Sequence, residues 1–297
     1  MNRLNLDQLT AFLHVVRLGS VTKAAEALYL TQPAVTARLR NLKDALGAEL
    51  FDRSAGTMRL TKRGEMLLSY AEEFERLGGL VQRDIVDPDG IEGRLRLGVS
   101  ETIAQCWLPD LITRLHGRYP RLEIEFNVDI SINLRSALLD RSLDLAVLLG
   151  PVSEYSVNNV GLPGFDLAWY ISAKAVARAD PFRRPVLTYA RQTRPYRELK
   201  ELLQDRVGPG VAMFPSSSLS ACFRLVEADL GVAALPRALG HEFVTRGTIR
   251  EFDPGWVPPP LGFTASYPAE PPSPMIEAAS DLALEAAQTF HKNKLYI

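Results

Sequence analysis

Apolar residues in the first part of the chain recur at helical spacing. Leu9, Phe12, Leu13 and Val16 fall at i, i+3, i+4 and i+7, the pattern of one buried stripe. Asn5 suits the cap at the start of this helix, and Gly19 the left-handed residue at its end. A second, shorter helix follows from Ser20, with Val21, Ala24, Ala25 and Leu28 on one face. Only Tyr29 and Leu30 separate it from Thr31, and so short a turn between helices predicts a helix-turn-helix. In the next stretch, "LTQPAVTARLRNL", Val35, Leu39, Leu42 and Leu46 form a stripe predicted to face the core. Pro33, Thr36, Ala37, Arg40 and Asp44 face the other way, with Arg38 and Lys43 at the edges. Pro33 falls in the first turn, where backbone N–H groups have no intrahelical partner, so it starts the helix rather than breaking it.

Beyond this helix, "ELFDRSAGTMRLTKRG" has a Leu-Phe run, a turn-prone Ser54-Ala55-Gly56 and a second apolar run at Met58 and Leu60, which reads as a two-stranded wing. From Thr61 to about Ile85 there is neither proline nor a loop cluster. Met66, Tyr70, Phe74, Leu77 and Val81 make one stripe there, and Leu67 and Ala71 widen it. A widened stripe suits either a broad core face or a second helix as partner. "DPDGIEG" reads as a hinge loop.

After Gly93 the period shortens. "RLRLGVS", "RLEIEFNV" and "LDLAVLL" read as strands, separated by one helix over "TIAQCWLPDLITRLHGRYP" and another over "NLRSALLDRSL". This βαβαβ order predicts a parallel sheet with helices on both faces. A second alternating set begins near Asp166: strands at "LAWYISAK", "PVLTYA", "GVAMF", "GVAALP" and "TIREFD", with helices at "RELKELLQ" and from Ser216. The strand-like "GFTASYP" and a last helix from about Ser273 end the pattern.

Charge divides the chain after Gly64. Residues 1–64 hold 10 Lys+Arg against 5 Asp+Glu, and the remainder 24 against 30, so a net charge of -1 conceals a basic head on an acidic body. Only the head suits a polyanion. On its third helix, Gln32 matches adenine by a bidentate amide, Thr36 a base edge or thymine methyl, and Arg38 and Arg40 phosphate. The same residues also suit an ordinary solvated face, and the helix alone does not decide. The wing places Arg53, Arg59, Lys62 and Arg63 beside the same duplex.

"GSVTKAAEALYLTQPAVTARLRNLKDALGAELFDR" followed by "RLTKRGE" resembles the N-terminal domain of the LysR-type transcriptional regulators. The carrying features are AA in the second helix, QPAV opening the third, LG closing it, then LF-x-R and LT-x-x-G. Lys43 stands where members often carry an acid, and Ala37 where they often carry a polar residue, which removes one base reader. The resemblance implies DNA contacts at Gln32, Pro33, Thr36 and Arg53, a dimer through the long helix, and self-association to tetramers; Thr31, next to Gln32, is expected at the same surface. In the body, "VEADLGVAALP" resembles a family motif in which a glycine stands at Asp229.

The expected fold is thus α/β. A winged helix-turn-helix spans residues 1–60 and a linker and dimerisation helix with hinge 61–90. An effector-binding domain like the periplasmic binding proteins spans 91–297. By resemblance its subdomains are 91–162 plus 267–297, and 163–266. A cleft between such halves suits a small molecule at the carboxyl ends of the strands. Ser100, Thr102 and Ser131 follow first-half strands, and Ser216 and Ser217 face them from the other half. Each hydroxyl equally suits a helix cap or turn. Glu101 would repel an acidic ligand unless it turns away, so an amine-bearing acid stands beside a plain carboxylate as expected effector.

Catalytic and metal chemistry find no motif. His14, His116, His241 and His291 lack ligand spacing, and GxSxG, the P-loop and GxGxxG are absent. Cys106 and Cys222 form no CxxC pair. The expectation is a cytoplasmic, homo-oligomeric regulator of promoter DNA with no cofactor and no membrane partner. A constitutive DNA binder and an enzyme fused to a DNA-binding head are the rivals.

Overall fold

α1 (Leu6–Leu18) begins where the Asn5 side chain accepts a hydrogen bond from the Asp7 amide at 2.9 Å, and it ends at Gly19 with φ 65°. The computed structural model describes residues 4–52, 59–81, 93–175 and 180–294. The chain forms two units, residues 1–88 and 89–297.

In the first unit α2 (Val21–Ala27) starts at Ser20, whose hydroxyl accepts from the Lys23 amide, and α3 (Gln32–Leu46) starts at Thr31. Phe12, Leu13 and Leu42 form one cluster with Leu50 and Ala71, while Val15, Ala24, Ala25 and Val35 form another. Small alanines let α2 lie close against its neighbours. Leu46 departs from the expected core stripe and is 41% exposed. The left-handed turn at Gly47 brings the chain back, and Leu50 is buried in the cluster beyond it. β1 (Phe51–Asp52) and β2 (Arg59–Leu60) pair antiparallel, with Phe51 opposite Leu60. The expected turn at Ser54–Gly56, Met58, and the hinge over residues 87–92 lie outside the described residues.

α4 (Lys62–Val81) is capped by Thr61, whose Oγ1 accepts from the Gly64 amide at 3.0 Å and donates to the Glu49 carbonyl at 2.7 Å. Gly64 is required here: a Cβ on it would lie 2.2 Å from the Leu50 carbonyl oxygen. Ala71 is fully buried, and Leu67 and Leu68 pack beside it, so this side of α4 meets the unit's core. The main apolar stripe faces solvent, with Met66 and Tyr70 each 63% exposed.

The second unit holds two five-stranded sheets. The first has the order β4-β3-β5-β12-β6, from β3 (Gly93–Val99), β4 (Leu122–Val128), β5 (Leu145–Leu149), β6 (Val157–Phe165) and β12 (Leu261–Pro268). β3, β4 and β5 are parallel, as the βαβαβ pattern predicts, but β12 runs antiparallel between β5 and β6. The sheet is therefore mixed, because its last two strands arrive from outside the local alternation. The helix expected over residues 102–120 is two, α5 (Glu101–Cys106) and α6 (Leu108–Arg118). Pro109 lacks the N–H that would continue the first into the second, and the break falls at Trp107. α7 (Ser131–Leu139) lies between β4 and β5 in sequence.

The second sheet has the order β11-β7-β10-β8-β9, from β7 (Leu167–Ser172), β8 (Val186–Tyr189), β9 (Met213–Ser216), β10 (Val232–Pro236) and β11 (Ile249–Phe252). β8, β9 and β10 are parallel and β7 and β11 antiparallel to their neighbours. Its helices are α8 (Arg194–Arg206), α9 (Leu219–Glu227) and α10 (Arg237–Thr245). The strand expected at "GVAMF" starts only at Met213 and runs to Ser216; the helix expected from Ser216 starts at Leu219 with Ser218 as its cap. The Ser216 hydroxyl accepts from the Ser218 amide at 3.0 Å, and this turn defers the helix to the last serine. α11 (Pro274–Lys294) packs on the first half. Both crossing strands belong to the first sheet, β6 through Phe165 and β12 from Leu261, so the second half is shorter than the expected 163–266 at both ends.

Candidate functional site

In the first unit, chemistry converges on the start of α3. Thr31 Oγ1 accepts from the Ala34 amide at 3.4 Å, and Pro33 occupies the first turn. Gln32, Pro33, Thr36 and Arg40 are exposed on the outward face, while Ala37 is half-buried. Thr36 donates its hydroxyl hydrogen to the Gln32 carbonyl at 2.9 Å, leaving its oxygen lone pairs and methyl for an outside partner. The two arginines differ. Arg38 reaches back to Asp7 of α1 at 3.3 Å, whereas Arg40 is exposed and forms no ion pair among the described residues. Arg59 lies on β2 opposite Asp52, and Lys62 opens α4; both are exposed. Arg53 lies outside the described residues. Sequence reasoning passed over Tyr29, which is 97% exposed beside the start of α3 and held at φ 54°, where side chains other than glycine are uncommon. Its position in the two-residue turn was the available signal.

In the second unit a cavity of about 50 Å³ opens at the carboxyl ends of the parallel strands of both halves. Ser100, Glu101, Thr102, Ser131, Ser216 and Ser217 all line it, so the six expected positions come together. The volume is room for a few water molecules, and a metabolite needs the halves to part. Ser131 Oγ accepts from the Leu149 amide at 3.0 Å and keeps its hydrogen to donate. Ser216 is spent on the Ser218 turn. Ser100 and Tyr189 were read differently by pattern alone. Ser100 precedes α5 without capping it, and Tyr189 was not singled out at all. Both are more than nine-tenths buried, both line the cavity, and neither hydroxyl has a partner among the described residues. Burial holds the Tyr189 phenol far above its ordinary pKa, so it stays a neutral donor.

Glu101 does turn away from the cavity centre. Its carboxylate crosses to the other half and meets the first turn of α9: Oε2 accepts from the Leu219 amide at 2.5 Å, and Oε1 from the Ser220 amide at 3.0 Å and the Ser220 hydroxyl at 2.7 Å. Gln105 Nε2 donates to the same Oε1 at 2.9 Å. A larger cavity, about 200 Å³, lies by Trp107, Phe165 and Phe290. Asp166, Arg237 and His291 share its walls, but none of the expected residues is there; the smaller cavity gathers all six at the ends of the parallel strands and is the better candidate.

Cys106 ends α5 in the first half and Cys222 is buried on α9 in the second, its thiol pushed up to about 11 by burial. Among the described residues no helix is long and apolar enough to cross a membrane.

Residues 6–65 match the family model described as bacterial regulatory helix-turn-helix protein, lysR family, and residues 88–288 match the LysR substrate binding domain. The chain belongs to the LysR family. It is a DNA-binding transcription regulator with an effector-binding domain. The HTH-type transcriptional regulator YofA of Bacillus subtilis is 30% identical over 250 residues, covering 84% of this chain and 87% of that one. Full-length CbnR complexed with its target DNA shares the fold at 18% identity and a TM-score of 0.64, over 97% of this chain and 100% of that one. So does full-length LysG from Corynebacterium glutamicum with bound effector arginine, at 18% identity and a TM-score of 0.62, over 96% and 99%.

Proposed function

We propose that this LysR regulator reads base edges with Gln32 and Thr36, while Thr31 and Pro33 set the start of α3 against the groove. Arg40, Arg59 and Lys62 hold phosphate, joined by Arg53 on family likeness and by Arg38 when it gives up Asp7. The reading is carried by the first turn of α3, where Thr36 points a methyl and a free lone pair outward beside an exposed amide side chain. Two copies pair through Met66, Tyr70 and Phe74 of α4, an apolar stripe exposed in the single chain. An effector enters the cleft at Ser100, Thr102 and Ser131 and changes the placement of the paired heads. The protein works in the cytoplasm on promoter DNA, and catalysis forms no part of the reading.

The test is fluorescence anisotropy with the DNA flanking the protein's own gene at several salt concentrations. The affinity falls with salt by about 0.9 log units per phosphate contact and log unit of salt. Arg40→Ala and Lys62→Ala each lower that slope by about one per head, and Gln32→Ala relaxes sequence preference by about 1–3 kcal/mol. Salt-independent affinity unchanged by these variants refutes the contacts. For the cleft, thermal shift against carboxylates, aromatic acids and amino acids is the screen. A ligand at 100 times its Kd adds about 2.7 kcal/mol.

A further inference from the structure

Glu101 is placed where a ligand's carboxylate would be expected. α9 runs nine residues from Leu219, and the amides of its first turn face the cleft from the second half. Free N–H groups and the helix dipole make such an end an anion site. Here the anion is supplied by the protein itself, from the opposite half, through two backbone amides, the Ser220 hydroxyl and a longer bond from Ser218 Oγ at 3.4 Å. The Ser218 hydroxyl also caps Ala221, so the first turn is satisfied by one external carboxylate and one local cap.

The remaining wall differs in character. Among the described residues Asp129 is the other carboxylate lining the cavity, and no lysine or arginine lines it. Among its fully buried groups the Ser100 and Tyr189 hydroxyls have no partner within the described residues, and both are neutral.

We propose that Glu101 is a built-in carboxylate that latches the two halves of the effector domain together and closes the α9 end of the cleft to acidic ligands, leaving an uncharged or amine-bearing head to engage Ser100 and Tyr189. The proposal rests on reading the cleft as the effector site. It assigns Glu101 a selective role: the protein excludes acids from this end by occupying it. Bonds between an ionised carboxylate and backbone amides are among the stronger hydrogen bonds, and these bridge two bodies joined elsewhere by crossing strands.

Chemical rescue by formate tests this. Full-length wild type, Glu101→Ala and Glu101→Gln are melted in increasing sodium formate, with sodium chloride at equal ionic strength as control. Amide exchange is followed by mass spectrometry in the peptide containing Leu219 and Ser220. Glu101→Ala is expected to melt roughly 3–6 °C lower, with exchange in that peptide about tenfold faster. Formate restores both in a saturable manner, while wild type responds to formate as it does to chloride. Glu101→Gln keeps the shape without the charge, so its peptide also exchanges faster and formate does not restore it. Three results overturn the proposal: formate acting on Glu101→Ala no more than on wild type, formate binding saturably to wild type, or wild-type exchange rates in Glu101→Gln. If Glu101→Ala does not fold, the last two decide. Formate rescue with no effector found in any screen keeps the latch and discards the effector reading; an effector response without rescue does the reverse.

Discussion

Replacing Gly64 by alanine tests the junction between the wing and the long helix. Helix propensity by itself favours the change by about 1 kcal/mol. The structure reverses that sign, because the new Cβ would lie 2.2 Å from the Leu50 carbonyl oxygen and 3.0 Å from Leu60 Cδ2, where ordinary contact begins at 3.4 Å. The first obstacle is backbone and cannot rotate aside, so α4 must move by about 1 Å. That carbonyl accepts the Thr61 amide at 3.0 Å, and Thr61 in turn bonds Glu49 and Gly64, so the shift loosens the whole helix start. Overpacking strain of about 1–3 kcal/mol and roughly 1 kcal/mol for each weakened bond outweigh the helical gain, for a net loss of about 2–3 kcal/mol. In a unit of this size that lowers its Tm by roughly 10–15 °C. Gly78, on the same helix, has nothing within 4 Å of its missing Cβ, and Gly78→Ala raises the Tm by up to about 4 °C. Far-UV circular dichroism sees the helices of both units. Trp107, Trp169 and Trp256 all belong to the second unit, so their fluorescence reports that unit alone. Gly64→Ala is expected to shift the early part of the dichroism transition and leave the fluorescence transition in place. A melting curve no lower than that of Gly78→Ala would refute the reasoning.

Other consequences are equally direct. Asp229 sits at φ 62° and pairs with Arg184 at 3.1 Å; Asp229→Ala loses the pair and keeps the strain, so it unfolds in urea at least about 1 kcal/mol below Asp229→Gly, and equal midpoints would contradict this. Burial raises the Cys222 thiol to about 11, above its value in the unfolded chain, so the folded state keeps a proton that the unfolded state releases and stability falls as pH rises from about 9 to 11. Cys222→Ser removes the part of the fall that begins near pH 9 and leaves the later part that the buried Tyr189 phenol contributes; an unchanged onset assigns it to other groups. Tyr70→Glu places a charge on the exposed stripe of α4 and is expected to shift sedimentation toward the single chain, where an unchanged oligomer would move the interface elsewhere.

The first unit was legible because its signals are local. Asn5 and Ser20 cap the helices that their positions announce, Thr31 caps the third, and the short turn between α2 and α3 leaves little choice of arrangement. The second unit was legible strand by strand wherever βαβ order applied. It failed where distant packing decides. β6 contains Gly161, Pro163 and Gly164, a loop by composition, yet it is an edge strand because β12 supplies its partner and an edge tolerates proline. α10 was missed because Gly240 interrupts its pattern; a Cβ there would meet the Tyr170 ring at 2.3 Å, so the apparent breaker is a packing requirement. At the cleft, the hydroxyls were found from their places after strands, but the target of Glu101 lies 118 residues away and no local pattern could supply it.

The path of β12 has a meaning for how the effector domain is assembled. An interior strand of the first sheet is synthesised after the whole second sheet, so the first half remains open between β5 and its edge until the rest of the domain has been made. The second half, from Leu167 to Phe252, is continuous and enters between two strands that lie on either side of one ladder. It is in effect a cassette inserted into a host, and the host closes only when the insert has let both of its ends come together. A nonsense truncation before Leu261 therefore damages the half that was made first, while exchange of the segment between β6 and β12 replaces one wall of the cleft and leaves the other intact.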